Sequence, residues 1–223
     1  MNYRHEVKHE LNYEDLLILR QRLKAVMKPD SHAKDGVYTV RSLYFDNFRD
    51  KALMEKINGV NDREKFRIRL YNGDTSFIQL EKKSKRNDMG TKYFAPLTME
   101  ETEALLKGDL DWMLGSEHSL IRELYVKMKY QGLRPKTIVE YTREPFVYGP
   151  GNVRVALDHD IRKGLRVEDF LDPDCPTMPA GDRSVILEVK WDAYLPDIVK
   201  DAVSIPGRYA GAFSKYARCR IYG

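Results

Sequence analysis

Apolar and polar positions along this chain repeat with two periods. A period near 3.6, which collects apolar side chains on one side of a helix, runs through residues 13–27, 50–57, 98–107 and 120–130. A last short helix is expected over 197–204, after Pro196. Asn12 and Thr98 stand where N-caps belong, and Glu101, three residues after Thr98, completes a capping-box pattern. Elsewhere the period is two. Lys65, Arg67 and Arg69 alternate with Phe66, Ile68 and Leu70, so one face of that strand is cationic and the other apolar. The same division recurs in Arg4, Glu6, Lys8 against His5, Val7, His9, and in Gln79, Glu81, Lys83, Lys85 against Ile78, Leu80, Lys82. It appears twice more, in Arg154, Ala156, Asp158 against Val153, Val155, Leu157, and in Glu188, Lys190 against Leu187, Val189, Trp191. Residues 169–182, with Pro173, Pro176, Pro179 and Gly181, continue neither pattern and are expected to form a surface loop.

An antiparallel sheet with its charged face in water accounts for any one of these strands. Together they ask for more, because the charged faces repeat Arg-x-Arg and Glu-x-Lys and at least four helices stand ready to cover the apolar side. A sheet curled around its charged face fits, and closing it removes the exposed edges. The expected fold is therefore α+β, an antiparallel β-barrel with a charged lumen wrapped by helices, in one domain over residues 1–223. Cations crowded in a lumen repel one another and lose hydration, so carboxylates and an anionic ligand must compensate them. The ligand implied is a polyanion.

Composition narrows the setting. The 38 Lys and Arg exceed the 34 Asp and Glu by only four, too little to make the molecule as a whole a nucleic-acid binder, so any such role would need a local basic concentration and no nucleic-acid partner is expected. With 42% hydrophobic residues the chain should fold by itself. Cys175 and Cys219 lack metal-binding spacing and suit free thiols in a cytoplasmic setting, and no stretch approaches the roughly 18 apolar residues of a membrane span. The five histidines form no metal-like cluster, and Tyr44 and Phe45, beside Val40 and Leu43, read as core.

Eight segments in order carry a family resemblance. They are Glu6-Val7-Lys8, Ser42-Leu43-Tyr44-Phe45-Asp46, Arg67-Ile68-Arg69-Leu70-Tyr71 and Leu80-Glu81-Lys82-Lys83, then Tyr141-Thr142-Arg143, Arg154-Val155-Ala156-Leu157-Asp158, Leu187-Glu188-Val189-Lys190 and Ser214-Lys215-Tyr216. The chain resembles a VTC domain, the polyphosphate polymerase-like branch of the triphosphate tunnel metalloenzymes, related to the CYTH phosphatases and cyclases. The resemblance implies a tunnel of eight antiparallel strands and transfer of the ATP γ-phosphoryl group onto a growing polyphosphate chain. It implies that Lys8, Arg67, Arg69, Lys83, Arg143 and Lys215 hold phosphates, helped by Tyr141 and Ser214. Of these, Arg67, Arg69, Lys83, Arg143 and Lys215 are the catalytic cations. Arg154 joins the phosphate-holding set by pattern, as does Lys92 after Gly90 and Thr91. Glu188 would hold Mn²⁺ or Mg²⁺, with Glu6 or Glu81 as a second carboxylate.

Those residue types suit the reaction. Phosphoryl transfer needs positioning and cations set against charge on the transferring group, and no side-chain nucleophile. Arg offers a planar fork to two oxygens and Lys a compact charge, while a hard divalent ion is satisfied by one or two carboxylates plus phosphate and water. Arg4 occupies the first position of the Glu-x-Glu-x-Lys with which CYTH phosphatases begin, which favours a polymerase over a two-metal hydrolase. Eukaryotic polymerases carry an SPX sensor and membrane helices beside this domain, so sensing and export are expected from partners, a membrane protein among them. A metal-dependent triphosphatase and a non-catalytic polyphosphate-binding module are the alternatives. The short stretch 217–223 reads as a tail that could fray.

Overall fold

The computed structural model describes residues 4–86 and 89–221. Among them ten strands follow one another: β1 (His5–Leu11), β2 (Lys28–Pro29), β3 (Tyr38–Asp46), β4 (Arg63–Tyr71), β5 (Asp74–Arg86), β6 (Met89–Leu97), β7 (Arg134–Tyr148), β8 (Val153–Gly164), β9 (Thr177–Pro179) and β10 (Val185–Trp191). Six helices stand between and after them: α1 (Tyr13–Val26), α2 (Lys51–Ile57), α3 (Met99–Lys107), α4 (Ser119–Gln131), α5 (Asp197–Val203) and α6 (Lys215–Ile221). The architecture is α+β. Two compact units are drawn from interleaved stretches of chain. The first comprises the stretch ending at Thr39, Tyr141–Ile161 and Asp182–Ser214, and the second Val40–Glu140, Arg162–Gly181 and the stretch from Lys215.

In the first unit the strand order is β1-β10-β8-β7, with β2 pairing β7 from the side. The antiparallel register sets Lys8 opposite Glu188, Glu6 opposite Lys190, and Lys190 opposite Arg154. The other face of this sheet is apolar and carries the core. Leu16, Leu19 and Leu23 of α1 pack with Phe146, Val155, Leu157, Leu187 and Val189 of the strands and with Val199 of α5. Those three α1 leucines are fully buried because their spacing of three and four residues puts them on one side of the helix. The helix begins with a reciprocal cap, Asn12 Oδ1 accepting from Asp15 N–H and Asp15 Oδ2 accepting from Asn12 N–H.

In the second unit the order is β7-β3-β4-β5-β6, and β9 pairs the last residues of β8. These two orders together use the eight strands that the resemblance implies, and β2 and β9 add to them. Phe66, Ile68 and Leu70 of β4 alternate into a core with Leu43, Phe45, Ile78, Leu80 and Leu97, covered by Leu105 of α3 and Leu120, Ile121 and Leu124 of α4. Each such side chain contributes about 1.5–3 kcal/mol on burial. The expected capping box at Thr98 and Glu101 is present, and Gly108 ends α3 in the left-handed region at φ 83°. Between β4 and β5 the turn residues Asn72 and Gly73 have φ of 52° and 70°. Both are the signs that a two-residue hairpin turn needs to match strand twist.

Two expectations are corrected. Residues 169–182 are not a plain surface loop, since Phe170 and Ala180 are buried and Thr177–Pro179 pairs with β8. The prolines keep the regular pieces short, and Arg41 satisfies part of the remaining backbone, donating from Nη1 to the carbonyls of Phe170 and Asp172. The tail does not fray over its described part: Lys215–Ile221 is helical, Tyr216 donates to Asp46 Oδ2 at 2.6 Å, and Arg218 donates to Ala180 O at 2.7 Å. Tyr222 and Gly223 lie outside the described residues. No helix among the described residues is long and apolar enough to cross a membrane.

Candidate functional site

Each unit gathers charge on one face of its sheet. In the first, pairing across β1, β10 and β8 brings Glu6, Lys8, Glu188, Lys190 and Asp158 together, and Arg143 reaches them from β7. Lys8 Nζ lies 3.0 Å from Glu188 and 3.3 Å from Glu6. Lys190 Nζ lies 2.9 Å from Glu188 and 3.8 Å from Glu6. The Arg143 fork closes on Asp158 with Nε and Nη2 at 2.6 and 2.7 Å, and Nη2 also donates to Glu188 at 3.1 Å. Burial alone would push the Lys8 ammonium down, but Glu188 and Glu6 outweigh it and hold it above the ordinary lysine range. Burial likewise opposes the charge on Arg143, and Asp158, Tyr141 and Glu188 more than restore it. Lys8 and Arg143 are thus held in their charged forms before any ligand arrives.

In the second unit the register builds three rows across adjacent strands. Lys65, Lys83 and Lys92 face one another on β4, β5 and β6; Tyr44, Arg67, Glu81 and Phe94 form the next row; Ser42, Arg69, Gln79 and Pro96 form the third. Among the described residues these rows set five cations against the single carboxylate of Glu81. Arg67 donates from Nε to Glu81 at 2.7 Å and from Nη1 to the Tyr44 hydroxyl at 2.9 Å, while Arg69 approaches the other Glu81 oxygen at 3.4 Å. Burial would raise the Glu81 carboxyl, but Arg67 and Arg69 outweigh it and hold it below the usual carboxylate range. Tyr44 is buried, which by itself raises a phenol, yet the charges of Arg67, Lys65 and Arg69 bring it down from 10.0 to about 7. Its ring stacks on Tyr216 at 5.0 Å between centroids.

A family model covers almost the whole chain: the VTC domain model matches residues 3–221. The chain belongs to the VTC domain family. Two solved structures share its fold. One, from Hippeastrum, is a candidate adenylyl cyclase described as having a dominant triphosphatase activity; it is 15% identical, with TM-score 0.58 over 98% of this chain and 95% of its own. The other, a candidate adenylate cyclase from Bacillus halodurans, is 11% identical, with TM-score 0.54 over 85% of this chain and 80% of its own. At such identities the likeness concerns the fold. Among curated proteins none matches.

Within this VTC domain the expected residues fall into definite places. Glu6, Lys8, Arg143 and Glu188 form one ion-pair cluster, and Arg67, Arg69 and Glu81 another, with Lys83 and Lys92 in the adjoining row. Tyr141 lies under the Arg143 guanidinium, 5.5 Å from ring centroid to Cζ. Arg154 is exposed on β8 at the edge of the first cluster. Ser214 precedes α6 and Lys215 opens it, both half-buried. Four residues were not singled out from sequence: Asp158, Lys190, Lys65 and Tyr44. The first three lie on charged faces that the alternation marks, Lys190 and Lys65 two positions from chosen residues and Asp158 four from Arg154. Tyr44, read as core, is indeed buried at 5% exposure, and its register with Arg67 brings its hydroxyl to the charged row as well.

Glu6 and Glu188 sit at a single ammonium, and a hard divalent ion needs only one or two carboxylates when phosphate and water complete its shell. The donor set therefore fits Mg²⁺ or Mn²⁺ arriving with a phosphate ligand. Among the described residues no group of three or more His, Cys, Asp or Glu side chains could hold a metal alone.

Proposed function

We propose that this VTC domain, acting as one functional unit over residues 1–223, is an ATP-dependent polyphosphate polymerase-like phosphotransferase. The observation that carries the reading is the pair of contrasting faces: a cation-rich set of rows built on β3 to β6, and a nearly balanced cluster of cations and carboxylates built on β1, β7, β8 and β10. The excess positive charge of Lys65, Arg67, Arg69, Lys83 and Lys92 suits a chain of phosphates, with Arg67 and Arg69 offering forks and the lysines point charges. Carboxylates hold the guanidiniums in place beforehand, so little reorganisation is needed when phosphate enters. Glu81, engaged by both arginines, serves as their support.

Glu188 and Glu6 would hold Mn²⁺ or Mg²⁺, which supplies neutralisation of charge on phosphate oxygens. Lys8, Lys190 and Arg143, which pair with these carboxylates, would be the cations that face a phosphate there, with Arg143 oriented by Asp158. Arg154, Ser214, Lys215 and Tyr141 are assigned to phosphate by the family pattern. The buried thiols Cys175 and Cys219 suit a reducing cytoplasm.

The test is incubation of the purified chain with γ-labelled ATP and Mn²⁺ or Mg²⁺, with and without a short polyphosphate primer, resolving products by length. Label is expected in long chains, dependent on metal and lost in Glu188→Gln. Label released only as orthophosphate would overturn the polymerase and favour the second reading, a metal-dependent triphosphatase. That reading draws on the activity described for the Hippeastrum relative in fold. Binding without turnover would leave a polyphosphate-binding module.

A further inference from the structure

The charged face of the second unit ends in aromatic side chains that neither core uses. Down β4 the residues on that face are Lys65, Arg67, Arg69 and then Tyr71, each step about 7 Å along the strand. The Arg69 guanidinium lies over the Tyr71 ring, 5.8 Å from its centroid. Tyr71 in turn meets Phe77 of β5, centroids 6.4 Å apart and planes tilted by 35°. Phe77 is 54% exposed, whereas its neighbour Ile78, pointing to the opposite face, is 2% exposed in the core. An apolar ring left mainly in water gains little from folding, and this one stands beside a row of cations at a tight Asn72-Gly73 turn that fixes both strand ends.

We infer that Phe77, backed by Tyr71, is the stacking platform for the base of a nucleoside triphosphate whose phosphates lie along Arg69, Arg67 and Lys65. The inference rests on the triphosphate reading above and deepens it: it names which end of the row takes the base. The order of chemistries matches the ligand, since a nucleotide carries its apolar ring at one end and its charge at the other, with a sugar spanning the step between. Tyr71 contributes by holding Phe77 and by pairing its own ring with Arg69, so the last phosphate-binding side chain and the platform are one packed group. Stacking is tolerant of base identity because every base has a π-face.

The experiment is calorimetric titration of the full chain with ATP and, separately, with inorganic tripolyphosphate, comparing the native protein with Phe77→Ser and Phe77→Tyr. An exposed position allows both variants to fold. Phe77→Ser is expected to bind ATP roughly tenfold more weakly, the loss of one base stack, while tripolyphosphate affinity is unchanged and Phe77→Tyr binds ATP as the native protein does. Equal effects on the two ligands, or none on ATP, would overturn the platform while leaving the triphosphate site standing. Failure of the native chain to bind tripolyphosphate at all would overturn the site itself and the platform with it.

Discussion

Asp158→Asn tests how the first cluster is held together. Asp158 is completely buried, and both of its oxygens are taken by the Arg143 fork at 2.6 and 2.7 Å. Removing one partner of a buried ion pair costs about 3–5 kcal/mol, because a charge remains inside without its counter-ion. Asparagine keeps one oxygen acceptor, and Arg143 keeps Glu188 at 3.1 Å, so the loss should fall at the low end, about 3 kcal/mol. In a chain of 223 residues that corresponds to a fall in Tm of roughly 6–12 °C. Urea denaturation followed by circular dichroism should show a lower midpoint with the slope unchanged, since the surface exposed on unfolding is the same. A loss under about 1 kcal/mol would refute the reasoning, for it would mean that the pair is solvated or that Glu188 alone satisfies the arginine.

Glu144 gives an acid-range prediction. Burial would raise it, but hydrogen bonds from His159 and Arg20 outweigh that and lower it from 4.5 to about 2. A depressed folded-state value stabilises above the unfolded one, so this contribution is full above about pH 4.5 and disappears as pH falls toward about 2. Urea titrations across that range should show a flatter decline in Glu144→Gln than in the native chain; parallel declines would contradict the assignment. Tyr44 gives one near neutrality. Its phenolate forms above about pH 7 and cancels positive charge beside Arg67, so tripolyphosphate should bind more weakly as pH rises from 6 to 8, an added dependence that Tyr44→Phe removes. The same lowered value should make the native chain gain stability over Tyr44→Phe between about pH 7 and 10, where the unfolded phenol still holds its proton. An identical pH profile in the variant would place the titration elsewhere.

Much of the site could be read from alternation alone. A strand's side chains change face at every residue, so Lys65, Arg67 and Arg69 had to share a face once Phe66, Ile68 and Leu70 entered the core, and the structure shows those three apolar residues buried. Local chemistry likewise specified Asn12 as an N-cap and the capping box of Thr98 with Glu101. Pairing between strands is another matter, because it joins residues far apart in the chain. That Lys8 meets Glu188 and that Tyr44 answers Arg67 follow from register, and that Arg143 is claimed by Asp158 follows from the neighbouring of β7 and β8, none of which one strand's pattern can contain. The end of the chain makes the same point. Seven residues from Lys215 are too few to reveal a helix by periodicity, and they are held by Asp46 and Ala180. Charge pattern marked which faces carry the cations; the folded pairings chose which carboxylate restrains which cation, because only they bring the two within hydrogen-bonding distance.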